Sequence, residues 1–154
     1  MTTSSPAAAY RERLWPATWV FLATALVIPA SLLVFLPISM VLGVICSIVL
    51  YASIVIVLIV TTPTLEVTGS VIRAGRARID SRFVRASTAF AGDEATAERG
   101  VRLDARSWLL VRGWIPDIVR IDLDDPDDPT PYWIVSSRHA TAFAIAIDAA
   151  RRVF

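Results

Sequence analysis

The strongest constraint in this sequence is a long stretch without charge. From Leu14 to Leu65 there is no Asp, Glu, Lys or Arg, a run of 52 positions in a chain of 154. A spanning helix needs roughly 20 apolar residues to cross a hydrocarbon core of about 30 Å. The run is long enough for two. Pro37, in "VFLPIS", offers the break between them, because proline lacks the amide donor and clashes with the preceding turn. A helical hairpin is therefore expected over residues 14–62, with helices over about 15–36 and 39–61 joined by a tight turn. A secretory signal peptide would lead into a polar mature chain; here a second apolar segment follows at once, which favours an uncleaved hairpin.

Arginine gives the orientation. Arg11 and Arg13 precede the first helix, Arg73, Arg76, Arg78, Arg82 and Arg85 follow the second, and the turn between them carries none. By the positive-inside rule both ends of the chain are expected in the cytoplasm, which makes this a multi-pass protein of the inner cell membrane. Residues 1–13 then form a cytoplasmic tail and residues 63–154 a cytoplasmic domain. Arg11, Arg13, Trp15 and Trp19 are expected to anchor the first helix at the interface, with Pro16 tolerated at its first turn. The lone cysteine, Cys46, lies within the second apolar segment and has no partner for an intrachain disulfide. All 15 basic residues are arginine, a bias that suits a GC-rich genome.

Beyond the apolar run the pattern alternates. "LEVTGSVIRAG" reads as two strands around Gly69-Ser70, a glycine-first pair suited to a type II′ hairpin. "RARID" and "FVRASTAFA" read as the third and fourth strands, and "GDEATAERG" as a polar connection with one helical turn. "SWLLVR", "IVRIDL" and "PYWIVSS" supply three more strands. The period then changes: Phe143, Ala146, Ile147, Ala150 and Phe154 recur at helical spacing. The expected fold class is an α+β membrane protein, in which the hairpin precedes a small seven-stranded pleckstrin-homology-like barrel capped by a C-terminal helix.

Three blocks carry a resemblance: "YRERLWP" before the first helix, "RAGRARID" after the second, and "DDPTPYWIVSSRH" before the last. With them the chain resembles a family of small actinobacterial membrane proteins known only as a domain of unknown function. The resemblance covers nearly the whole chain. It implies two membrane helices and a pleckstrin-homology-like cytoplasmic domain, and it supplies no activity and no catalytic residues.

The candidate sites follow from charge and spacing. Residues 117–128 carry six aspartates against Arg120, but no register places glycine sixth and glutamate twelfth as a calcium loop requires. Pro126, Pro129 and Pro131 stiffen the segment, so no metal is expected there. His139 is the only histidine, which excludes a multi-histidine metal site. No nucleophile elbow, P-loop or dinucleotide fingerprint occurs, so no cofactor and no enzymatic activity are expected. Ser136 or Ser137 should cap the last helix. Arg138 and His139 then stand at its positive end, an anion-site pattern, unless Arg138 turns back to the aspartate-rich segment as a surface ion pair. Arg73 and Arg76, close to the expected membrane exit, are the other candidates for anionic lipid, unless they are ordinary topology-setting arginines on the solvent faces of strands.

Trp108 and Trp133 are expected in the core, and Trp114, at a turn, in the core or at its rim, with a membrane-surface or partner contact as the alternative. In the second apolar segment Gly43 and Ser47 form a small-residue face that packs the helices, or a second copy of the chain. No ionisable side chain lies in the apolar run, which argues against ion transport by this chain alone. The functional expectation is a non-enzymatic binding module, anchored in the lipid bilayer, for a protein, a peptide or an anionic lipid, with no nucleic-acid partner. The alternative is a structural or accessory subunit of a larger membrane complex that acts through its hairpin.

Overall fold

The structure is a computed structural model that describes residues 9–152. Phe154, the last residue of the expected helical stripe, lies outside them. The chain divides into two compact units, residues 15–62 and a second one built from the segments on either side.

The first unit is the hairpin. Its helices are α1 (Thr18–Ala25), α2 (Val27–Phe35) and α3 (Met40–Val60). Two stretches, Thr18–Phe35 and Met40–Val60, are long and apolar enough to cross a membrane. The single first helix expected over 15–36 is corrected in two ways. It begins at Thr18, after Pro16 rather than around it, and it breaks at Leu26. The cause of the break is Pro29, which has no N–H for the Ala25 carbonyl four residues back and whose ring crowds that carbonyl. There the chain tightens, and the Leu26 amide donates to Ala23 three residues back at 3.2 Å. At the turn, the amides of Ile38 and Ser39 both reach the Phe35 carbonyl at 2.9 Å, and the Ser39 hydroxyl accepts from the Leu42 amide to start α3.

The second unit is a mixed α+β domain of two four-stranded sheets. The first has strand order β1 (Tyr10–Arg13), β2 (Thr64–Thr68), β3 (Val71–Ala74), β4 (Ala77–Asp80), all antiparallel. Both of its tight turns are two residues long with glycine first: Gly69-Ser70 with φ of 57° and Gly75-Arg76 with φ of 59° at the glycine. Only glycine adopts that φ without strain, and the turn's twist matches that of the strands it joins. A 3-10 turn at Ser81–Phe83 carries the chain into the second sheet. That sheet has order β5 (Val84–Phe90), β7 (Ile118–Leu123), β8 (Tyr132–Ser136), β6 (Trp108–Leu110), with β6 parallel to β8. Helix α4 (Gly92–Arg99) replaces the single turn expected there, and α5 (Ala140–Arg151) ends the described chain.

Two features depart from the expected seven-stranded barrel. There are eight strands among the described residues, because residues 10–13, read from sequence as part of a tail, form β1. The strands also do not close, since β4 and β5 share no ladder.

The main core lies between the sheets. Leu65, Val67 and Ile72 from the first meet Val119, Ile121 and Val135 from the second, with Phe143 and Ile147 of α5 filling the space. Each such fully buried side chain contributes on the order of 1.5–3 kcal/mol. Two hydroxyls fix α5: Ser81 donates to the Ala150 carbonyl at 3.2 Å, and Ser87 to the Ala144 carbonyl at 3.0 Å. A smaller cluster of Ala95, Ile118, Tyr132 and Ile134 lies under α4. β8 is thus covered on both faces, which is why "YWIV" is apolar without alternation. Trp133 lies in the core, Trp108 packs on it with ring centroids 4.8 Å apart, and Trp114 is partly buried at its edge.

Candidate functional site

The start of α5 is where sequence and structure diverge most usefully. Neither Ser136 nor Ser137 is the N-cap. Ser136 ends β8 and Ser137 follows it, both fully buried, while the helix begins later, with His139 at the cap position and no side-chain cap bond. Ser136 Oγ accepts from the Arg112 amide at 3.0 Å, which ties β8 to the loop after β6. Ser137 Oγ accepts from the His139 amide at 3.2 Å and donates to Glu12 Oε2 at 2.5 Å.

Glu12 is the carboxylate that this joint holds. Its side chain is 8 % exposed, and His139 Nδ1 stands 4.0 Å from Oε1. Oε1 also accepts from the Arg138 amide at 2.8 Å, and Oε2 accepts from the Tyr10 hydroxyl at 2.6 Å. An acid belongs here on electrostatic grounds, beside the positive end of a helix. The Tyr10 ring stacks on Phe143 with centroids 5.1 Å apart. Burial, then the hydrogen bond to Glu12, push the Tyr10 phenol up to about 12, against a smaller opposing contribution from Ser137. The anion at Ser-Ser-Arg-His is therefore part of the chain itself. Sequence reading overlooked Tyr10 and Glu12. The available signal was "YRER", in which period-2 alternation puts Tyr10 and Glu12 on one face and the two arginines on the other.

Those arginines belong to a different surface. Arg11, Arg73 and Arg78 are exposed on the outer face of the first sheet, where the register lines up Arg11, Glu66, Arg73 and Arg78 across all four strands. Arg13 is exposed one step along β1, and Arg76 is exposed at the turn between β3 and β4. The four candidates for anion contact thus do not form one site. Arg73 and Arg76 lie on this outer face and its end, whereas Arg138 and His139 stand at the α5 start, which Glu12 approaches from the inner face.

The acidic stretch forms turns of its own. Asp125 Oδ1 accepts from the Asp127 amide at 3.0 Å and Asp128 Oδ1 from the Thr130 amide at 2.9 Å. Among the described residues no group of three His, Cys, Asp or Glu side chains is arranged to hold a metal. A second buried polar network lies under α4, where the Glu98 carboxylate meets Arg120 at 3.1 Å and Arg102 at 3.3 Å. The Arg120 guanidinium also lies 4.0 Å from the Tyr132 ring centroid. It closes the smaller core cluster.

In the hairpin, Gly43 and Ser47 are the buried residues of α3. A side chain at Gly43 would meet Phe35 Cβ at 3.3 Å, and the Ser47 and Ser31 hydroxyls lie 2.6 Å apart. The small-residue face packs α3 against α2. Trp15 and Trp19 are both exposed, at 43 % and 58 %.

A family model described as "Protein of unknown function (DUF3093)" matches residues 9–147, from just ahead of β1 into α5. The chain belongs to that family. No curated protein and no solved structure matches it. In this DUF3093 member the match takes in both apolar helices, Glu12 with its partners, and the arginine row.

Proposed function

We propose that this DUF3093 chain is an integral protein of the inner cell membrane whose hairpin crosses the bilayer twice and anchors a cytoplasmic, non-enzymatic binding module. The observation that carries the reading is the β1–β2 ladder, which joins the segment before the first apolar helix to the segment after the second. The ladder requires both segments on one side of any membrane that the helices cross, and the arginines that flank the hairpin favour the cytoplasm. The large apolar side chains left exposed on the hairpin, such as Leu22, Leu33, Val41, Ile48 and Val60, suit a lipid environment. The pleckstrin-homology-like reading of the domain rests on element order, with strands followed by one terminal helix over the core; the actinobacterial origin rests on the resemblance and on the arginine-only basic content.

The non-enzymatic reading draws on Ser137 and His139. Ser137 is fully buried and donates to Glu12, so its hydroxyl is not presented to a substrate. The accessory-subunit alternative draws less support, because the Gly43–Ser47 face is already filled by α2. Alkaline carbonate extraction followed by purification in a mild detergent tests the proposal. The chain should stay in the membrane pellet and purify without a stoichiometric protein partner. Release by carbonate would overturn the anchor, and a stoichiometric membrane partner would favour the subunit role.

A further inference from the structure

We propose that the outer face of the first sheet is a binding surface for anionic phospholipid headgroups, with Arg73 and Arg78 as the phosphate-holding pair and Arg11 beside them. The inference rests on the reading that the hairpin crosses the bilayer.

Its basis is an arrangement that works against stability in isolation. Arg73 and Arg78 are direct cross-strand partners on β3 and β4, and like charges placed directly opposite each other destabilise a sheet. Among the described residues neither has a carboxylate within salt-bridge distance, and neither does Arg11. Arg73 donates its Nε to the Gly75 carbonyl at 3.2 Å, a contact that positions the guanidinium and leaves its charge unbalanced. Glu66 is the one acid in the row, between Arg11 and Arg73, and its carboxylate accepts from Thr68 at 3.2 Å. Within the row one carboxylate thus stands against three guanidinium groups; Asp80, two residues beyond Arg78 on the same face, accepts instead from the Ser70 hydroxyl and the Arg82 amide. Glu66, Thr68, Val71, Arg73 and Arg78 line a cavity of about 200 Å³. Guanidinium groups hold phosphate oxygens by paired N–H donors.

Chain reach selects lipid over a soluble anion. Arg13 ends β1 five residues before α1 begins at Thr18, and β2 begins at Thr64, four residues after α3 ends at Val60. At no more than about 3.6 Å per residue, these tethers span under about 18 Å. The arginine row lies two residues further along the strands, about 7 Å. Arg76 stands at the same end of the sheet, since the Gly75 amide donates to the Thr64 carbonyl at 2.8 Å. Chain length thus keeps the row within about 25 Å of the ends of the apolar helices, so on the spanning reading an anionic bilayer surface is held at high local concentration.

The test uses the full chain in a neutral detergent. Short-chain phosphatidylglycerol is titrated in, with phosphatidylcholine of the same chain length and inorganic phosphate as comparisons, and the melting temperature is read. Phosphatidylglycerol should raise it saturably, phosphatidylcholine should not, and inorganic phosphate at equal concentration should have a smaller effect. R73Q/R78Q should weaken the phosphatidylglycerol response on the order of 25-fold, since each arginine near an anionic surface contributes about fivefold. Without lipid, R78Q should melt at or above the parent, because it relieves the repulsion. R85Q, on the other sheet, should respond like the parent. Equal responses to both lipids, equal responses to phosphate and phosphatidylglycerol, or an unchanged response in R73Q/R78Q would each overturn the site. The membrane anchor would stand in all three cases, since it is tested separately by carbonate extraction.

Discussion

Glu12 belongs to a strand of four residues, yet its carboxylate answers donors on two elements: the Tyr10 hydroxyl on β1, and the Ser137 hydroxyl and Arg138 amide at the start of α5. Leaving buried donors unpaired costs about 1–3 kcal/mol, so Glu12→Ala should lower stability by about that amount in denaturant or thermal melts of the full chain. A loss under a few tenths would mean that water replaces the carboxylate without cost. Tyr10 adds a pH signature. The fold favours its neutral phenol, whose pKa is raised from 10.0 to about 12. That contribution to stability is present in full below pH 10 and is lost as pH rises through about 12. Tyr10→Phe has no proton to lose, so the alkaline fall in melting temperature should be shallower in that variant. An identical fall in both proteins would show that some other group sets the alkaline limit.

At the scale of elements, legibility tracked how local the signal was. The hairpin at Gly69-Ser70 is set by the glycine itself, β2, β3, β7 and α5 were readable from period, and β8 was readable as a short apolar run. β1 was not. Tyr10–Arg13 is too short to show a convincing period, and it earns its place only by pairing with β2, more than fifty positions away in sequence. For the same reason the sheets could not be seen to remain separate, because closure depends on whether β4 meets β5 rather than on either strand's own pattern. Pro29 was overlooked for a different reason. Hydropathy windows register composition, and an apolar stretch with one proline scores like one without. Gly43 was legible as a small residue, and its distances state the consequence. A Cβ there would stand 3.3 Å from Phe35 Cβ and 3.4 Å from Leu32 Cδ2. Gly43→Leu should therefore splay α3 from α2 and cost about 1–3 kcal/mol, as overpacking does. The readout is a lower aggregation temperature in detergent; an unchanged one would mean that the helices separate without penalty.

For the molecule as a whole, two independent features bear on how the chain meets a membrane, and they are separable by experiment. The first is geometric. At 1.5 Å per residue, the apolar stretches of 18 and 21 residues are about 27 and 32 Å long, close to one hydrocarbon thickness each. They lie between two strands that pair residue for residue, from Tyr10 against Val67 to Arg13 against Thr64. The backbone bonds extend this ladder at both ends, with the Ala9 amide on the Val67 carbonyl at 2.8 Å and the Leu14 amide on the Pro63 carbonyl at 3.0 Å. Such a ladder cannot form across a bilayer, so the number of crossings between its strands must be even. The second feature is electrostatic: arginines flank the hairpin on both sides and its turn has none, which on the proposed reading favours the cytoplasmic side. Reporters fused at Met1 and at Phe154 should accordingly give the same side, and that side should be the cytoplasm. Reporters on opposite sides would mean that only one helix crosses and that β1 cannot pair with β2 in the cell. Both reporters outside would leave the ladder intact and overturn the arginine argument, and with it the placement of the Arg73–Arg78 face beside the anionic inner leaflet.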